Sequence, residues 1–283
     1  MKKLLTLALS SLLALSLLAG CGSNNTAASA SAYASTGETV TLKVGASITP
    51  HAEILAQCKP ILAEQGIDLE VVEYTDYVQP NTALEDGSLD ANYFQHINYL
   101  NWFNSEYGTH LVSAASVHYE PFGIYAGKVA SIADLKDGDE VIIPNDGSNE
   151  TRALLLLQQE GIITLKDGIT AASNATVQDI ASYSVNITIR EMEAAQLTIS
   201  LPDVALAVIN GNYALQGGLN AATDALAIES ADGDAAQEYG NILAVKEGHE
   251  NDPAILALID VLHSDTIRYF INNTYGGAVV PTF

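Results

Sequence analysis

The sequence is poor in basic residues, in cysteine and in tryptophan. It contains 11 Lys and Arg against 34 Asp and Glu, for a net charge of −23, together with two cysteines and one tryptophan. So acidic a surface repels the phosphates of nucleic acid and anionic lipid headgroups, which excludes a nucleic-acid-binding function. The two cysteines, Cys21 and Cys58, form no CxxC pair, and no Cys/His cluster has the spacing of structural zinc.

Sequence signatures of catalysis are also missing. Ser148 lies in Asp-Gly-Ser-Asn-Glu, which is not the Gly-x-Ser-x-Gly pattern of a nucleophile elbow. No GxGxxG or Walker-type phosphate loop follows a predicted strand, and the histidines show no i, i+4 pairing typical of metal sites. We therefore expect a protein that is not an enzyme, with no catalytic residue, no metal and no cofactor; a hydrolase is the remaining enzymatic alternative.

The N-terminal segment has the pattern of an export signal. Met1-Lys2-Lys3 is basic, and the apolar run from Leu4 to Leu18 is shorter than the ~20 residues that a membrane span needs. The run ends in Leu18-Ala-Gly-Cys21, which resembles a bacterial lipobox. We expect residues 1–20 to be a signal peptide and Cys21 to be the lipidated residue that holds the protein on the extracytoplasmic face of the cell membrane. An ordinary signal peptide with a chance cysteine is the alternative.

Residues 21–38 are rich in Ser, Ala, Asn and Thr and bury little apolar area, which predicts a flexible tether. Cys58 is expected to be a small buried residue on a helix. Because the folded surface is acidic, we expect membrane contact through the lipid on Cys21 alone and no nucleic-acid partner. We expect a monomer.

Strand and helix patterns alternate from residue 40 onward. The segment from Val40 to Val44 alternates as a strand, and Thr49-Pro50 predicts a helix start with Thr as cap and Pro at the first helical position. Gly66 ends that helix, and Leu69 to Val72 forms the next strand. A strand, a helix and a strand within ~35 residues predict a βαβ unit and parallel pairing.

A second set of elements begins near residue 140. Its predicted strands and helices are Glu140–Ile143 (strand), Asn149–Glu160 (helix), Val204–Ile209 (buried strand), Asn241–Val245 (strand) and two closing helices that start at Asp252-Pro253 and Thr266. Roughly 245 residues after the tether suit two α/β lobes or one large domain.

Polar and aromatic residues cluster where these strands end, which is where open parallel sheets bind ligands. The segments concerned are Asp76-Tyr-Val-Gln-Pro-Asn81, Asp90-Ala-Asn-Tyr-Phe-Gln-His96, Pro144-Asn-Asp-Gly-Ser-Asn-Glu-Thr-Arg152 and Ala207-Val-Ile-Asn210.

The first two of these segments contribute to a family resemblance. Its other motifs are Thr49-Pro-His-Ala-Glu-Ile-Leu55, Asn145-Asp-x-x-Asn-x-x-Arg-Ala-Leu-Leu-Leu-Leu-Gln158, Glu193-Ala-Ala-Gln-Leu197, Leu206-Ala-Val-Ile-Asn-Gly-Asn-Tyr213 and Gly276-Gly-Ala-Val279. From about residue 39 to the end, the chain resembles the NlpA-like methionine-binding lipoproteins of ABC importers. The resemblance implies a two-lobed α/β clamp of the periplasmic-binding-protein type (type II), with mixed, mostly parallel sheets flanked by helices. It also implies methionine as the ligand and an ABC transporter permease as the partner.

The resemblance implies the following ligand-binding residues: Tyr77, Phe94, His96, Tyr99, Tyr119, Asn149, Arg152, Asn210 and Asn241. Arg152, expected in the first turn of a helix, can grip a ligand carboxylate bidentately, while the alternative is a surface salt bridge. Asn210 and Asn241 would meet the amino-acid backbone of the ligand or, alternatively, cap turns. The aromatic residues and His96 would enclose a thioether or, alternatively, serve as structural residues of the core.

Departures from the family pattern occur around the expected site. Gly147 stands where the family often has Pro, and Glu150-Thr151 where it has Leu-Gly; we expect Glu150 to face solvent. Gln196-Leu-Thr-Ile199 replaces the usual Gln-Leu-Pro-Arg, which removes a charge.

The implied clamp predicts lobe 1 from residues 39–126 and 225–283 and lobe 2 from residues 127–224. Its hinge is expected near residues 124–130 and 222–228. A surface lipoprotein that binds another apolar amino acid or a short peptide, or that acts in adhesion, is the alternative function.

Overall fold

The computed structural model describes residues 39–229 and 238–283, and the predicted signal peptide, the tether and Cys21 lie outside these residues. The described chain is an α/β structure with a six-stranded, a five-stranded and a two-stranded sheet. In this part of the chain, no helix combines the length and the apolar character that crossing a membrane requires. The expected α/β architecture with mixed sheets is confirmed, although among the described residues antiparallel strand pairings outnumber the parallel ones that were expected to predominate.

The six-stranded sheet has the order β13-β4-β12-β3-β1-β2. Its strands are β1 (Val40–Ser47), β2 (Ile67–Tyr74), β3 (Ala91–His96), β4 (Leu111–Tyr119), β12 (Gly240–Lys246) and β13 (Val280–Pro281). Strand β1 pairs in parallel with β2 and β3, which confirms the predicted βαβ unit. The other pairings of this sheet are antiparallel, so a parallel core is extended by antiparallel strands.

The five-stranded sheet has the order β11-β5-β10-β6-β9. Its strands are β5 (Gly123–Ala126), β6 (Glu140–Pro144), β9 (Thr188–Met192), β10 (Leu206–Ile209) and β11 (Ala225–Ile228). Strand β6 lies between β9 and β10 and pairs with both in parallel, whereas β5 joins β10 and β11 by antiparallel pairing. Strands β7 (Ile163–Leu165) and β8 (Ile180–Tyr183) form the small third sheet.

Helices cover the faces of the two large sheets. They are α1 (Glu53–Ala63), α2 (Gln79–Glu85), α3 (Ile97–Tyr107), α4 (Gly147–Gln159), α5 (Ala194–Ser200), α6 (Gly211–Gln216), α7 (Pro253–Leu262) and α8 (Asp265–Thr274). Helices α1, α7 and α8 pack their apolar residues on the six-stranded sheet, and α4 does so on the five-stranded sheet. Cys58 lies fully buried on α1, as predicted, and burial raises the pKa of its thiol to about 12.

The start of α1 differs from the sequence prediction. Thr49 is extended, at φ −128° and ψ 136°, and the Thr49–Pro50 peptide bond is cis. The segment Ile48–Ala52 therefore forms an irregular turn, and the regular helix begins at Glu53. This turn places the buried side chain of His51 near the start of β12, where it contacts Asn241.

The chain crosses between the large sheets at two places. Strands β5 and β11 both belong to the five-stranded sheet, whereas the expected lobe boundaries at residues 126 and 224 assign them to lobe 1. A division by sheet instead places the crossings between Tyr119 and Gly123 and between Ile228 and Gly240. Antiparallel pairing is the reason, because β5 pairs with β10 and β11 pairs with β5.

Candidate functional site

A cavity lies where the ends of β3 and β4 approach the first residues of α4 and α6. Its walls lie close together and leave a cavity volume of about 20 Å³, which is room for roughly one water molecule. The residues in its wall are Tyr77, Phe94, Gln95, His96, Tyr99, Glu120, Asn149, Arg152, Asn210, Gly211, Asn212 and Asn241. Every residue that the sequence predicted for ligand binding, except Tyr119, belongs to this wall.

One side of the cavity is aromatic. The ring centroid of Tyr77 lies 5.7 Å from that of Phe94 and 5.6 Å from that of Tyr99. The Tyr99 hydroxyl donates a 3.0 Å hydrogen bond to the Tyr77 carbonyl, which fixes the two rings relative to each other. Phe94 and Tyr99 are both buried and also pack on Phe103 of the core, so they combine the two roles that the sequence left open. An apolar side chain or a thioether fits such a wall.

Arg152 enters the cavity wall from α4. Because Asp146 caps this helix through the Asn149 N–H, Arg152 lies in the second turn and not in the first turn as predicted. The dipole at a helix N-terminus stabilises an anion only within the first turn, so it gives little support to a carboxylate bound at Arg152. The orientation of the guanidinium depends on its neighbours. Its Cζ atom lies 4.8 Å from the ring centroid of Phe122 and 4.1 Å from that of Tyr239.

The Arg152 guanidinium forms a buried ion pair with Glu229. Arg152 Nε donates to Glu229 Oε2 at 2.8 Å, and Nη2 donates to Glu229 Oε1 and, at 3.0 Å, to the Glu120 carbonyl. Tyr119 lies outside the cavity wall, and its hydroxyl donates to Glu229 Oε1 at 2.6 Å. A salt bridge, which the sequence left open as the alternative role of Arg152, is therefore present. It is buried beside the cavity and not on the surface, and Tyr119 donates a hydrogen bond to its carboxylate.

A chain of amides and a histidine crosses the cavity. His96 Nε2 lies 3.2 Å from Asn149 Oδ1, which also accepts a 2.8 Å hydrogen bond from Asn210 Nδ2. Burial, and then the charge of Arg152, lower the pKa of His96 to about 3, so its ring is neutral at physiological pH. Asn210 Oδ1 is buried without a hydrogen-bond partner among the described residues. The wall therefore presents an unpaired acceptor at Asn210.

Asn212 presents the complementary group. Its Oδ1 accepts a hydrogen bond from the Tyr77 hydroxyl, while its Nδ2 is buried with no partner in the described part of the chain. Buried polar groups in native proteins are nearly always hydrogen-bonded, so unpaired atoms in a cavity wall indicate where a ligand bonds. With a donor at Asn212 and an acceptor at Asn210, the wall suits a ligand that carries both an acceptor and a donor.

Glu120 joins the cavity to a buried pair of histidines. His118 Nε2 lies 2.7 Å and His51 Nε2 lies 3.4 Å from Glu120 Oε1, and His51 Nε2 also lies 3.0 Å from Asn241 Oδ1. Among the described residues, this is the group whose atom types and proximity, within 4.8 Å, fit a metal ion. Both Nε2 atoms that face Glu120 are already in hydrogen-bond contacts, so the cluster is a hydrogen-bonded network in this structure.

Comparisons with known proteins identify the family. The family model described as NlpA lipoprotein matches residues 42–283. The chain belongs to the NlpA lipoprotein family. The methionine-binding lipoprotein MetQ of Bacillus subtilis (strain 168) is 40% identical over 270 residues, which cover 93% of each chain.

Solved structures of similar proteins agree with this family. A nutrient-binding protein from Burkholderia cenocepacia bound to methionine has a TM-score of 0.82 and 41% identity, and the match covers 86% of this chain and 100% of that one. Lipoprotein Tp32 from Treponema pallidum has a TM-score of 0.81 and 38% identity, with coverage of 86% and 100%. The resemblance to NlpA-like lipoproteins that the sequence motifs indicated is thus confirmed.

In this NlpA family member, several groups at the site are not among the residues predicted from the sequence. Asn212 follows Asn210 by two positions at the end of a buried strand, and that spacing was a usable signal. Glu120, which follows β4, and Glu229, which follows β11, had no such signal. The contacts that matter, His51 with Glu120 and Arg152 with Glu229, join residues that are far apart in sequence.

The expectation that Glu150 faces solvent is wrong. Glu150 is buried on the side of α4 that packs against the loop before β8, where its Oε1 accepts a 3.0 Å hydrogen bond from the Val177 N–H. Burial and the neighbouring Glu191 raise its pKa to about 8. Glu150 does not belong to the cavity wall near Arg152.

Proposed function

We propose that this chain is an extracytoplasmic solute-binding lipoprotein that captures methionine and delivers it to the permease of an ABC transporter. The observation that carries the proposal is the enclosed cavity in which a guanidinium, unpaired amide atoms and an aromatic wall meet. An α-amino acid needs the first two for its charged groups, and a thioether side chain needs the third. The names of the B. subtilis and B. cenocepacia relatives point to the same ligand.

The binding role is carried by residues from both halves of the structure. Tyr77, Phe94, His96, Tyr99 and Asn241 come from the half with the six-stranded sheet, and Asn149, Arg152 and Asn210 from the other half. Tyr119 acts indirectly, through Glu229. Ligand capture then consists of closing the two lobes around the solute, with the crossing segment between Tyr119 and Gly123 as one hinge. No bond is made or broken, so the protein acts as a binding protein and not as an enzyme.

Contacts across the cleft support this closing motion. The Tyr77 hydroxyl donates to Asn212 Oδ1, and the Tyr213 hydroxyl donates a 3.1 Å hydrogen bond to the Thr75 carbonyl. His96 meets Asn149 in the same way. Each of these pairs joins a residue of the first half to one of the second, so each forms when the lobes approach and is lost when they separate.

Titration with L-methionine tests the ligand. Trp102, the single tryptophan, lies against the start of α4 across the cleft, so closure changes its surroundings. We expect a saturable change in its fluorescence with a Kd of about 1 μM or tighter, and little change with arginine or glutamate. The matched variant Arg152→Lys keeps the charge beside Glu229 but loses the planar fork, and it should bind methionine at least about tenfold more weakly.

Two comparison ligands separate the alternatives. Leucine represents another apolar amino acid, and glycyl-methionine represents a short peptide. A saturable response to either of them, with none to methionine, would show that the assigned ligand is wrong. A chain that responds to no amino acid or peptide would indicate adhesion or another surface role.

A further inference from the structure

A contact between the two halves of the structure lies outside the cavity wall. It joins the loop that leads from α6 to β11 to the turn between α8 and β13. Asn220 Nδ2, in the loop, donates a 3.0 Å hydrogen bond to the Tyr275 carbonyl. A Cβ atom at Gly277, in the turn, would lie 3.6 Å from the Ala222 Cβ, which is an ordinary van der Waals distance. The loop and the turn therefore touch through both polar and apolar atoms.

Each partner in this contact is fixed to its own half. The Asn220 N–H donates to Asp224 Oδ2 at 2.7 Å, and Asn220 Oδ1 accepts a 2.9 Å hydrogen bond from the Ala222 N–H, so the loop is a closed turn in front of β11. Tyr275 is buried and belongs to the apolar core of the six-stranded sheet. Its hydroxyl donates a 2.7 Å hydrogen bond to Glu53 Oε2 at the start of α1. The contact thus joins two rigid parts and not two free loops.

The last turn of α6 extends the contact. Leu215 lies on α6, between strands β10 and β11 of the five-stranded sheet, but its side chain packs on the core of the six-stranded sheet. The earlier residues of the same helix, Asn212 and Tyr213, instead meet Tyr77 and Thr75 at the cleft. One end of α6 therefore faces the cleft, and the other end leads to the loop at Asn220.

The contact lies beside the crossing segment that joins β4 to β5. Gly277 comes three positions before Val280 of β13, which pairs with the last residue of β4. Ala222 comes three positions before Ala225 of β11, which pairs with β5. When one lobe rotates relative to the other, points near the hinge move least. A contact in this place can therefore persist while the cleft opens.

We propose that the contact of Asn220 and Ala222 with Tyr275 and Gly277 is a fixed pivot, present in both the open and the closed protein, about which the two lobes rotate. The proposal rests on the proposed function, since it describes how the lobes close around the solute. A contact that is equally strong in two states cannot shift the equilibrium between them, whereas a contact made only in the closed state favours closure. The pivot should therefore stabilise the fold without changing the affinity for the ligand.

A disulfide across the pivot tests whether the contact persists. The distance of 3.6 Å between the Ala222 Cβ and a Cβ at position 277 lies within the range of disulfides, about 3.5–4.5 Å, and the native Cys58 is buried. In the full chain in detergent, Ala222→Cys/Gly277→Cys should oxidise to the same extent with and without L-methionine. The oxidised protein should bind methionine with a Kd within about threefold of that of the reduced protein.

Trp102→Cys/Gly147→Cys is the matched control, because it spans the cleft and not the pivot. A Cβ atom at position 147 would lie 2.9 Å from Trp102 Cδ1, so the two positions face each other in this structure. We expect this pair to oxidise at least about tenfold faster with methionine than without it, since the lobes must close to bring the two thiols together.

Asn220→Ala gives an independent measurement, which is needed if the positive φ of Gly277, 93°, prevents the cysteine variant from folding. The variant loses the hydrogen bond to Tyr275, so its Tm should fall by roughly 2–4 °C while its methionine Kd stays within about twofold. Tyr213→Phe is the comparison at the cleft. It loses the hydrogen bond to the Thr75 carbonyl, and its methionine Kd should weaken by about three- to tenfold.

Absence of the pivot disulfide from the folded, ligand-free variant would overturn the proposal, because the contact would then form only on closure. An Asn220→Ala variant with an unchanged Tm, or with a Kd weakened as much as that of Tyr213→Phe, would overturn it as well. Absence of methionine binding to the unmodified chain would instead refute the proposed function. The two failures are distinguishable, since the disulfide is measured on the ligand-free protein.

Discussion

At the scale of single residues, burial decides the charge of the titratable groups in this protein. Glu150 is held at the first turn of α4 by the Val177 N–H, and its pKa rises from 4.5 to about 8 because it is buried beside Glu191. The folded state therefore binds more protons than the unfolded state between these two values. The stability that this group contributes is fully present below pH 4.5 and is lost as the pH rises through 8.

Glu150→Gln should remove this pH dependence. An amide keeps the shape and the acceptor for the Val177 N–H but cannot ionise, so the variant should gain stability over the unmodified chain as the pH rises from 5 to 9. Thermal unfolding at both pH values measures the gain, which corresponds to roughly 2–4 °C in Tm per kcal/mol for a chain of this size. Glu64→Gln, at an exposed position, is the control and should leave the pH profile unchanged. Parallel profiles for Glu150→Gln and the unmodified chain would contradict the prediction.

At the scale of elements, the start of α4 meets α3 across the cleft. A Cβ atom at Gly147 would lie 2.7 Å from Trp102 Nε1 and 2.9 Å from Trp102 Cδ1. The helix begins here because Asp146 accepts hydrogen bonds from the N–H and the side chain of Asn149. Because Gly147 has no side chain, α3 and α4 can lie close together. Their contact is part of the wall around the cleft that contains the cavity.

Gly147→Ala should weaken methionine binding by about tenfold, because the added methyl group has to displace the indole before the lobes can approach. Calorimetry measures the Kd without relying on tryptophan fluorescence. The double variant Gly147→Ala/Trp102→Phe makes room for the methyl group and should recover most of the affinity. An unchanged Kd in the single variant would show that this contact does not limit closure, and a double variant that stays weak would assign the effect to α4 itself.

At the scale of the whole molecule, the acidic folded surface and the predicted lipid anchor at Cys21 have different relations to the membrane. The net charge of −23 makes the folded surface unsuited to anionic membranes. We therefore expect a lipid on Cys21 to provide the membrane attachment. A tethered binding protein has a raised effective concentration at a permease in the same membrane.

Cys21→Ser should move the protein from the membrane fraction to the soluble fraction, while its affinity for methionine stays the same. Sedimentation of cell extracts followed by immunoblotting measures the distribution. Cys58→Ser is the matched control: its thiol is buried on α1, and the variant should remain with the membranes. Cosedimentation of the Cys21→Ser protein with membranes would show that another feature of the chain attaches it.

Local sequence signals predicted much of the fold. Alternation from Val40 to Val44 and the apolar run from Val204 to Ile209 identified β1 and β10, because strand patterns are local in the chain. The same signals failed at Thr49-Pro50, where the cap and proline pattern predicted a helix start and the backbone instead forms a turn that carries His51 inward. They also failed at Glu150, because a charged residue on a helix gives no sign of which neighbour will bury it.

The sequence by itself determined the βαβ unit, the motifs that line the cavity and the family, since all of these are written in short stretches of chain. Only the tertiary structure decided that Arg152 pairs with Glu229, 77 positions away, and that His51 and His118 meet at Glu120. Those contacts depend on how the two sheets and their crossing segments pack together. Periodicity along the chain carries no information on such packing. The packing, however, decides the charge state of the groups in the cavity.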